Sequence, residues 1–350
     1  MTVRIAVAGA GLIGVRHVEE IDASSSAELA SIVDPSAAAD VAATYGVASY
    51  ASLAEMFAAD RPDGVILATP NTLHASGGLE CVRAGVPVLV EKPLADTVAD
   101  ATELVETAEE AKVPLLTGHH RQHSSIMAKA REIVASGQLG QLVSVVGTAL
   151  FHKPDDYFEG GGGWRRQPGA GPILLNLIHE VNNLMQLAGD IVTVQAVTSN
   201  AVRGFPVEDT AAMVFRFAGG ALGTFVLSDV AASPRSWEQT SRENKAYATY
   251  EDEDCYHIAG TAGSLSVPTM RVRTFPGERS WYEPLHRSTV SLDRTDPLAN
   301  QIEQFAAVIR GEQEPVVTGR AGLNALRVTE AVAEAARTGT VVETGLGAAA

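Results

Sequence analysis

Four polar residues on one face of a largely apolar stretch carry the clearest chemistry in the chain. Pro172 and Gly189 bracket I-L-L-N-L-I-H-E-V-N-N-L-M-Q-L-A, which reads as a buried helix. Asn176, His179, Glu180 and Asn183 stand on it at i, i+3, i+4 and i+7, and so share one face. Polar groups on a buried helix cost free energy unless they are partnered or face a cleft. A lone histidine would read as a satisfied core residue, whereas a stripe of four favours a site. Imidazole titrates near neutral pH, so His179 is the candidate to move a hydroxyl proton. A second reactive group, Lys92, follows the apolar strand Pro87 to Val90 within Glu91-Lys92-Pro93. Its ammonium can hydrogen-bond a reacting oxygen and favour a developing alkoxide. The Lys92–Pro93 bond is a candidate for the cis form.

The elements that must hold these groups begin at the N-terminal end. Val3 to Ala8 alternates as a buried strand, and Gly9, Gly11 and Gly14 follow as G-x-G-x-x-G, with a helix from Leu12. Gly9 permits the tight turn, Gly11 lets backbone approach a pyrophosphate, and Gly14 lets helix and strand pack closely. The first-turn amides, including those of Leu12 and Ile13, and the helix dipole suit phosphate. A second strand ends in Asp34, 20 residues after Gly14, near the spacing of an acid that holds the adenosine ribose. Strands at 64–69, 87–90 and 113–117 alternate with helices that close at Gly85 and Ala111, which makes a doubly wound parallel sheet over residues 3–117. In such a sheet the ligand lies beyond the carboxyl ends of the strands. There stand Asp34, then Thr69, Asn71 and His74, then Glu91 and Lys92, then His119 to Arg121.

After Gly137 the period changes. Residues 142–151, 192–202, 210–217, 222–229, 247–258 and 265–267 alternate as strands of a large, mostly antiparallel open sheet, with Gly219-Gly220 as a tight hairpin turn. Gly160 to Gly163 reads as a flexible loop, and Glu251 to Asp254 as a solvated edge or turn. Helices at 300–309 and 321–338 close the chain, and Gly345 to Ala350 reads as a frayed end. The expected division is residues 1–121 for a Rossmann dinucleotide-binding domain and 122–350 for an α+β substrate-binding domain.

A net charge of −16 argues against nucleic acid or an anionic membrane as partner. No apolar run is long enough to span a bilayer, and a strand that starts at Val3 leaves no room for a signal peptide. The two cysteines, Cys81 and Cys255, make no metal spacing and read as buried thiols in a reducing, cytoplasmic compartment. His119, His120 and His123 have no partner spacing for a metal, so none is predicted.

Taken with the glycine fingerprint, A-T-P-N-T-L-H at 68–74 and A-G-V-P-V-L-V-E-K-P at 84–93 resemble the glucose-fructose oxidoreductase / inositol dehydrogenase / MocA family. The likeness continues through G-Q-L-G at 137–140, Trp164-Arg165, and G-T-A-G-S-L-S-V-P at 260–268. The resemblance implies transfer of a hydride between nicotinamide and a hydroxyl of a sugar, polyol or related cyclic alcohol. It implies Lys92 and His179 as the catalytic pair, with Glu91 by the cofactor ribose. Arg121, Trp164, Arg165 and Asn176 would line the substrate pocket with His179, and Arg166 reads either as lining or as surface charge. The metal-free chemistry and a homodimer or homotetramer through the second sheet are also implied. Asp34 is followed by Pro35-Ser36 rather than by Arg, which favours NAD over NADP.

The chain departs from the family where an Asp usually stands four residues before the histidine: that position is Leu175, Asn176 is one place on, and Asn182 stands where another Asp is common. Asparagine can hold a hydroxyl but cannot take its proton. Three readings follow: His179 with Lys92 suffices, Glu180 orients the ring, or catalysis is weak and the chain is an NAD-binding regulator. Reduction of a keto-sugar or sugar-acid intermediate is a further alternative.

Overall fold

The computed structural model describes residues 1–167 and 169–347, divided into two compact units. The first unit comprises residues 1–124 and 295–326, the second 125–294 and 327–350. The expected boundary after residue 121 falls close to the first division, while residues 295–326 rejoin the N-terminal unit from far along the chain.

In the first unit, β1 (Val3–Ala8), β2 (Ala27–Val33), β3 (Ala48–Tyr50), β4 (Gly64–Leu67), β5 (Val88–Glu91) and β6 (Leu115–Gly118) form a parallel sheet in the order β3-β2-β1-β4-β5-β6. The crossovers are α1 (Leu12–Ala23), α2 (Ala38–Tyr45), α3 (Leu53–Ala59), α4 (His74–Arg83) and α5 (Val98–Ala111). β4, β5 and β6 are buried along their whole length, as a parallel sheet covered on both faces requires. Ser52 and Thr97 cap α3 and α5 by accepting from Glu55 N and Asp100 N. β3, only three residues long, has no sequence signal of its own.

The second unit holds β7 (Leu142–Leu150), β8 (Ile191–Ser199), β9 (Thr210–Phe217), β10 (Leu222–Ser228), β11 (Tyr256–Gly260), β12 (Gly263–Val267), β13 (Arg271–Thr274), β14 (His286–Thr289) and β15 (Val342–Glu343). They form one sheet in the order β14-β13-β12-β11-β7-β10-β9-β8-β15, antiparallel at every pair except β7 with β10. One face buries Val145, Phe215, Phe225, Tyr256 and Leu265, and the helices α6 (Ser125–Ala135) and α7 (Ile178–Ala188) pack on this sheet. Gly220, at φ +87°, turns β9 into β10 as a hairpin. Val146, Val197, Val214 and Val226 stand exposed on the same sheet.

Three details of this unit correct the reading by pattern. The run Gly160 to Gly163 belongs to a 3-10 helix, Gly160–Arg166, because Gly162 N bonds Glu159 O and Arg165 anchors on Tyr157. A side chain at Gly162 would strike the Tyr157 carbonyl, so the glycine there serves packing. The strand expected at 247–258 is confined to β11; the residues before it lie outside any strand, apart from the short helix α8 (Trp237–Thr240) further upstream. Asp254, in the acidic run, is buried, accepts from Thr269 N and pairs with Arg271 at 2.5 Å. Of the expected frayed end, residues 345–347 lie outside any element and 348–350 lie outside the described residues.

The chain then supplies α9 (Pro297–Ile309), capped by Asp296, and α10 (Gly319–Thr338). Ile302 and Phe305 of α9 join Ile5, Val7, Val18, Ile21 and Ile66 in the core of the first unit. Thr117 N bonds Val317 O beside β6, so the edge of the parallel sheet is covered. Both Cys81 and Cys255 are buried free thiols. No helix among the described residues is long and apolar enough to cross a membrane.

The glycines of the first turn separate packing from access. Gly9 sits at φ +98°, and a side chain at Gly14 would collide with the Gly9 carbonyl, whereas a Cβ at Gly11 meets nothing within 4 Å. Gly14→Ala should therefore destabilise the fold by about 1–3 kcal/mol, while Gly11→Ala stays within about 0.5 kcal/mol of the parent. Urea unfolding of the two variants measures the difference.

Candidate active site

The carboxyl ends of the strands in the first unit assemble a cradle. Gly11 is the N-cap of α1 and makes no side-chain cap, so the first-turn amides remain available to an anion. Leu12, 89% exposed, and Ile13 stand on the surface of that turn. Asp34, at the end of β2, is tied into the same turn. Its Oδ2 accepts from Ala10 N at 3.0 Å, and its Oδ1 accepts from Ser36 N and Ala37 N, each at 2.8 Å. Partial burial works against ionisation, yet these backbone donors prevail and hold the carboxyl down at about 2. The group is thus a fixed anion beside the glycine turn. At the end of β4, Thr69 carries a buried hydroxyl with no hydrogen-bond partner among the described residues, and Asn71 opens a short 3-10 turn, Asn71–Leu73. An uncapped helix start, open space at Gly11, an oriented carboxylate and an unsatisfied hydroxyl fit a dinucleotide.

His74 has another place. Its Nδ1 lies 2.7 Å from Pro93 O and its Nε2 2.9 Å from Thr69 O, so the ring fastens the loop after β4 to the loop after β5. Lys92–Pro93 is cis. Lys92 is half-buried and directly follows Glu91, whose position is set by a residue that the sequence pattern did not single out. Fully buried His17, on α1, sets its Nε2 2.8 Å from Glu91 Oε1, and Glu91 Oε2 accepts from Lys92 N at 3.2 Å. Burial opposes the charge on Glu91, but His17 and the nearby cations hold its carboxyl below the usual range. Gly118 of β6 makes the room: a Cβ there would sit 2.8 Å from the Glu91 carboxylate. The signal for His17 was its position three residues after Gly14, on the helix face turned to the sheet.

Beyond β6, Arg121 is buried in the 3-10 turn His120–His123. Burial pushes His119 down to about 3 and His120 down to about 4, helped by the positive charges of Lys92 and Arg121. Both rings are neutral at pH 7.

The second unit holds the remaining predicted residues. The segment after Pro172 opens with a wide π-helical turn, Ile173–Leu177, before α7. π turns recur at functional sites. The polar stripe divides. Asn183 Nδ2 donates to the Tyr256 hydroxyl at 3.1 Å, and that hydroxyl donates to Glu180, so two members of the stripe meet on Tyr256 inside the core. One oxygen of the Glu180 carboxylate, Oε2, takes the Tyr256 hydroxyl. His179 is 7% exposed, and Asn176 is half-buried and accepts from Lys153 Nζ at 2.7 Å. Trp164 is exposed, whereas Arg165 stacks 4.1 Å from the Tyr157 ring centre and donates to Tyr157 O. Arg166 lies over Phe205 at 5.3 Å.

A glycine turn, a fixed carboxylate and a strand-end lysine on one parallel sheet fit a dinucleotide-binding oxidoreductase. Residues 3–119 match the oxidoreductase family with an NAD-binding Rossmann fold, and residues 127–266 match the GFO/IDH/MocA C-terminal domain. The chain belongs to this GFO/IDH/MocA family and is an NAD(P)-dependent oxidoreductase. It is 30% identical to 1,5-anhydro-D-fructose reductase of Ensifer adhaerens over 85% of each chain. It is 26% identical to inositol 2-dehydrogenase of Rhizobium meliloti (strain 1021), over 95% of this chain and 96% of that one. An oxidoreductase from Agrobacterium radiobacter, solved with NAD+, L-tartaric acid and magnesium, has the same fold, with a TM-score of 0.80 at 20% identity over 99% of both chains.

The buried histidines set a pH dependence. A histidine held neutral in the fold binds fewer protons than its unfolded counterpart at any pH between its two pKa values. For His119 and His120 that window runs from 6.5 down to about 3 and about 4, so stability is full above pH 6.5 and falls below it. Glu91, held below its ordinary value, adds a loss at the acid end of the same range. Thermal unfolding between pH 7.5 and 4.5 should show a falling midpoint, with a shallower fall in a His119→Gln/His120→Gln variant.

Proposed function

We propose that this chain is an NAD-dependent dehydrogenase of a sugar, polyol or related cyclic alcohol, with Lys92 and His179 serving the same substrate oxygen. The observation that carries the reading is Lys92 next to a Glu91 clamped by His17, on the strand-end rim that also holds Asp34 and the glycine turn. The nicotinamide, when bound, supplies the hydride acceptor. Gly9, Gly11 and the first-turn amides of Leu12, Ile13 and Gly14 hold the pyrophosphate, and Asp34 accepts from the ribose. Thr69, Asn71 and Glu91 complete that side. A fixed carboxylate with no arginine after it repels a ribose phosphate, which supports NAD over NADP.

Lys92 donates to the reacting hydroxyl and stabilises the oxyanion as its proton leaves. His179 accepts that proton. Arg121, Trp164, Arg165 and Asn176 contact the rest of the substrate. The exposed valines of the large sheet, Val146, Val197, Val214 and Val226, are the surface through which copies of the chain associate. Run in reverse, the same groups reduce a keto-sugar.

NADH formation is measured against a panel of sugars, inositols and aldonic acids. At least one substrate should turn over, with higher kcat/KM for NAD than for NADP. Lys92→Met and His179→Gln should each lower kcat by about 10²–10⁴-fold. Turnover by Lys92→Met at the parent rate would overturn the assignment.

A further inference from the structure

Lys153 lies outside every motif in the sequence, yet it is among the most constrained cations of the second unit. Only 8% exposed, it follows β7, and its backbone N–H bonds Asp229 O. Its ammonium donates to Asn176 Oδ1 at 2.7 Å and stands 3.6 Å from Asp229 Oδ2, with the Tyr157 and Phe151 ring centres 5.0 and 5.5 Å away. Asp229 is closer to a second cation, Arg203, whose Nε donates to Oδ1 at 3.1 Å and whose guanidinium also binds the carbonyls of Lys153 and Asp229. Glu238 acts on the ammonium only through its field.

An ammonium has donors and no acceptor, so the amide oxygen of Asn176 must face Lys153. The Asn176 NH2 is then turned away from Lys153, and among the described residues nothing accepts from it. The family carboxylate four residues before the histidine is an acceptor; Leu175 stands there, and the polar group one place on, Asn176, presents a donor. A cation bonded to the amide oxygen draws electron density from the nitrogen and strengthens its N–H as a donor. What such a donor binds best is an oxygen that bears negative charge.

We propose that Lys153 and Asn176 form a carboxylate subsite, with Lys153 the positioning residue and the Asn176 NH2 the contact, so that the substrate of this dehydrogenase is a hydroxy acid of the sugar series. This rests on the reading of the site given under the proposed function. Burial also pushes the Lys153 ammonium down to about 8, partly offset by Asp229, which leaves it charged near neutral pH.

Matched pairs differing only in the carboxylate test the subsite: gluconate with sorbitol, galactonate with galactitol, xylonate with xylitol. Calorimetric titration of the full chain with NADH bound gives affinities without requiring turnover. At least one acid should bind about ten-fold or more tightly than its polyol, the scale of a hydrogen bond to a charged group. Asn176→Asp is isosteric and keeps the contact with Lys153, but sets a carboxylate against the ligand; it should abolish the preference. Lys153→Met should bring each acid within about three-fold of its polyol, with NADH affinity and thermal midpoint reported beside it. If Lys153→Met fails to fold, Asn176→Asp decides alone. No acid preference in any pair, or a preference that survives Asn176→Asp, overturns the subsite. Acid binding that is lost in Asn176→Asp, with no turnover of any substrate in the parent, sinks the dehydrogenase reading and leaves the subsite standing.

Discussion

The buried Glu91 carboxylate is the constraint on which the first unit depends. A charge at the end of a central strand is costly unless each oxygen is satisfied. His17 meets one oxygen from the first helix and Lys92 N meets the other from the chain itself. The arrangement is possible only because Gly118, on the neighbouring strand, lacks a side chain. The same contact fixes three things at once: the packing of α1 on the sheet, the end of β5, and the point from which the Lys92 side chain departs. His74 secures the next residue, since its ring bonds Pro93 O and ties that loop to Thr69. Lys92 is therefore presented by a braced turn at the carboxyl end of an interior strand, which a preorganised electrostatic role requires.

The second unit solves a different problem with similar means. A largely apolar helix carries a stripe of four polar residues on one face, and two of them, Glu180 and Asn183, both bond Tyr256. Lys153 sets the polarity of Asn176 by donating to its amide oxygen, one place after the Leu175 that replaces the family aspartate.

Much of this was legible in the sequence because the relevant constraints are local. Gly9, Gly14 and Asp34 act through backbone conformation and fixed spacing, and strand–helix alternation follows from hydrophobic period. His17, Lys153 and Tyr256 escaped because each matters through a partner 74, 23 or 76 positions away, which no local period encodes. The same holds for residues 295–326, whose helical pattern is plain but whose return to the first unit depends on Ile302 and Phe305 finding the core around Ile5 and Ile21. The glycine run at 160–163 misled for the opposite reason. Its composition suggests flexibility, and only the bonds to Tyr157 and Glu159 order it.

The central proposal is that Lys92 and His179 both serve the chemical step. A double-mutant cycle on kcat with Lys92→Met, His179→Gln and the combined variant measures this directly. Groups that share one transition state lose most of their joint effect when either is removed, so the combined variant should be little slower than the worse single one. Losses that multiply, each substitution costing the same in either background, would show that the two side chains act independently and contradict the account.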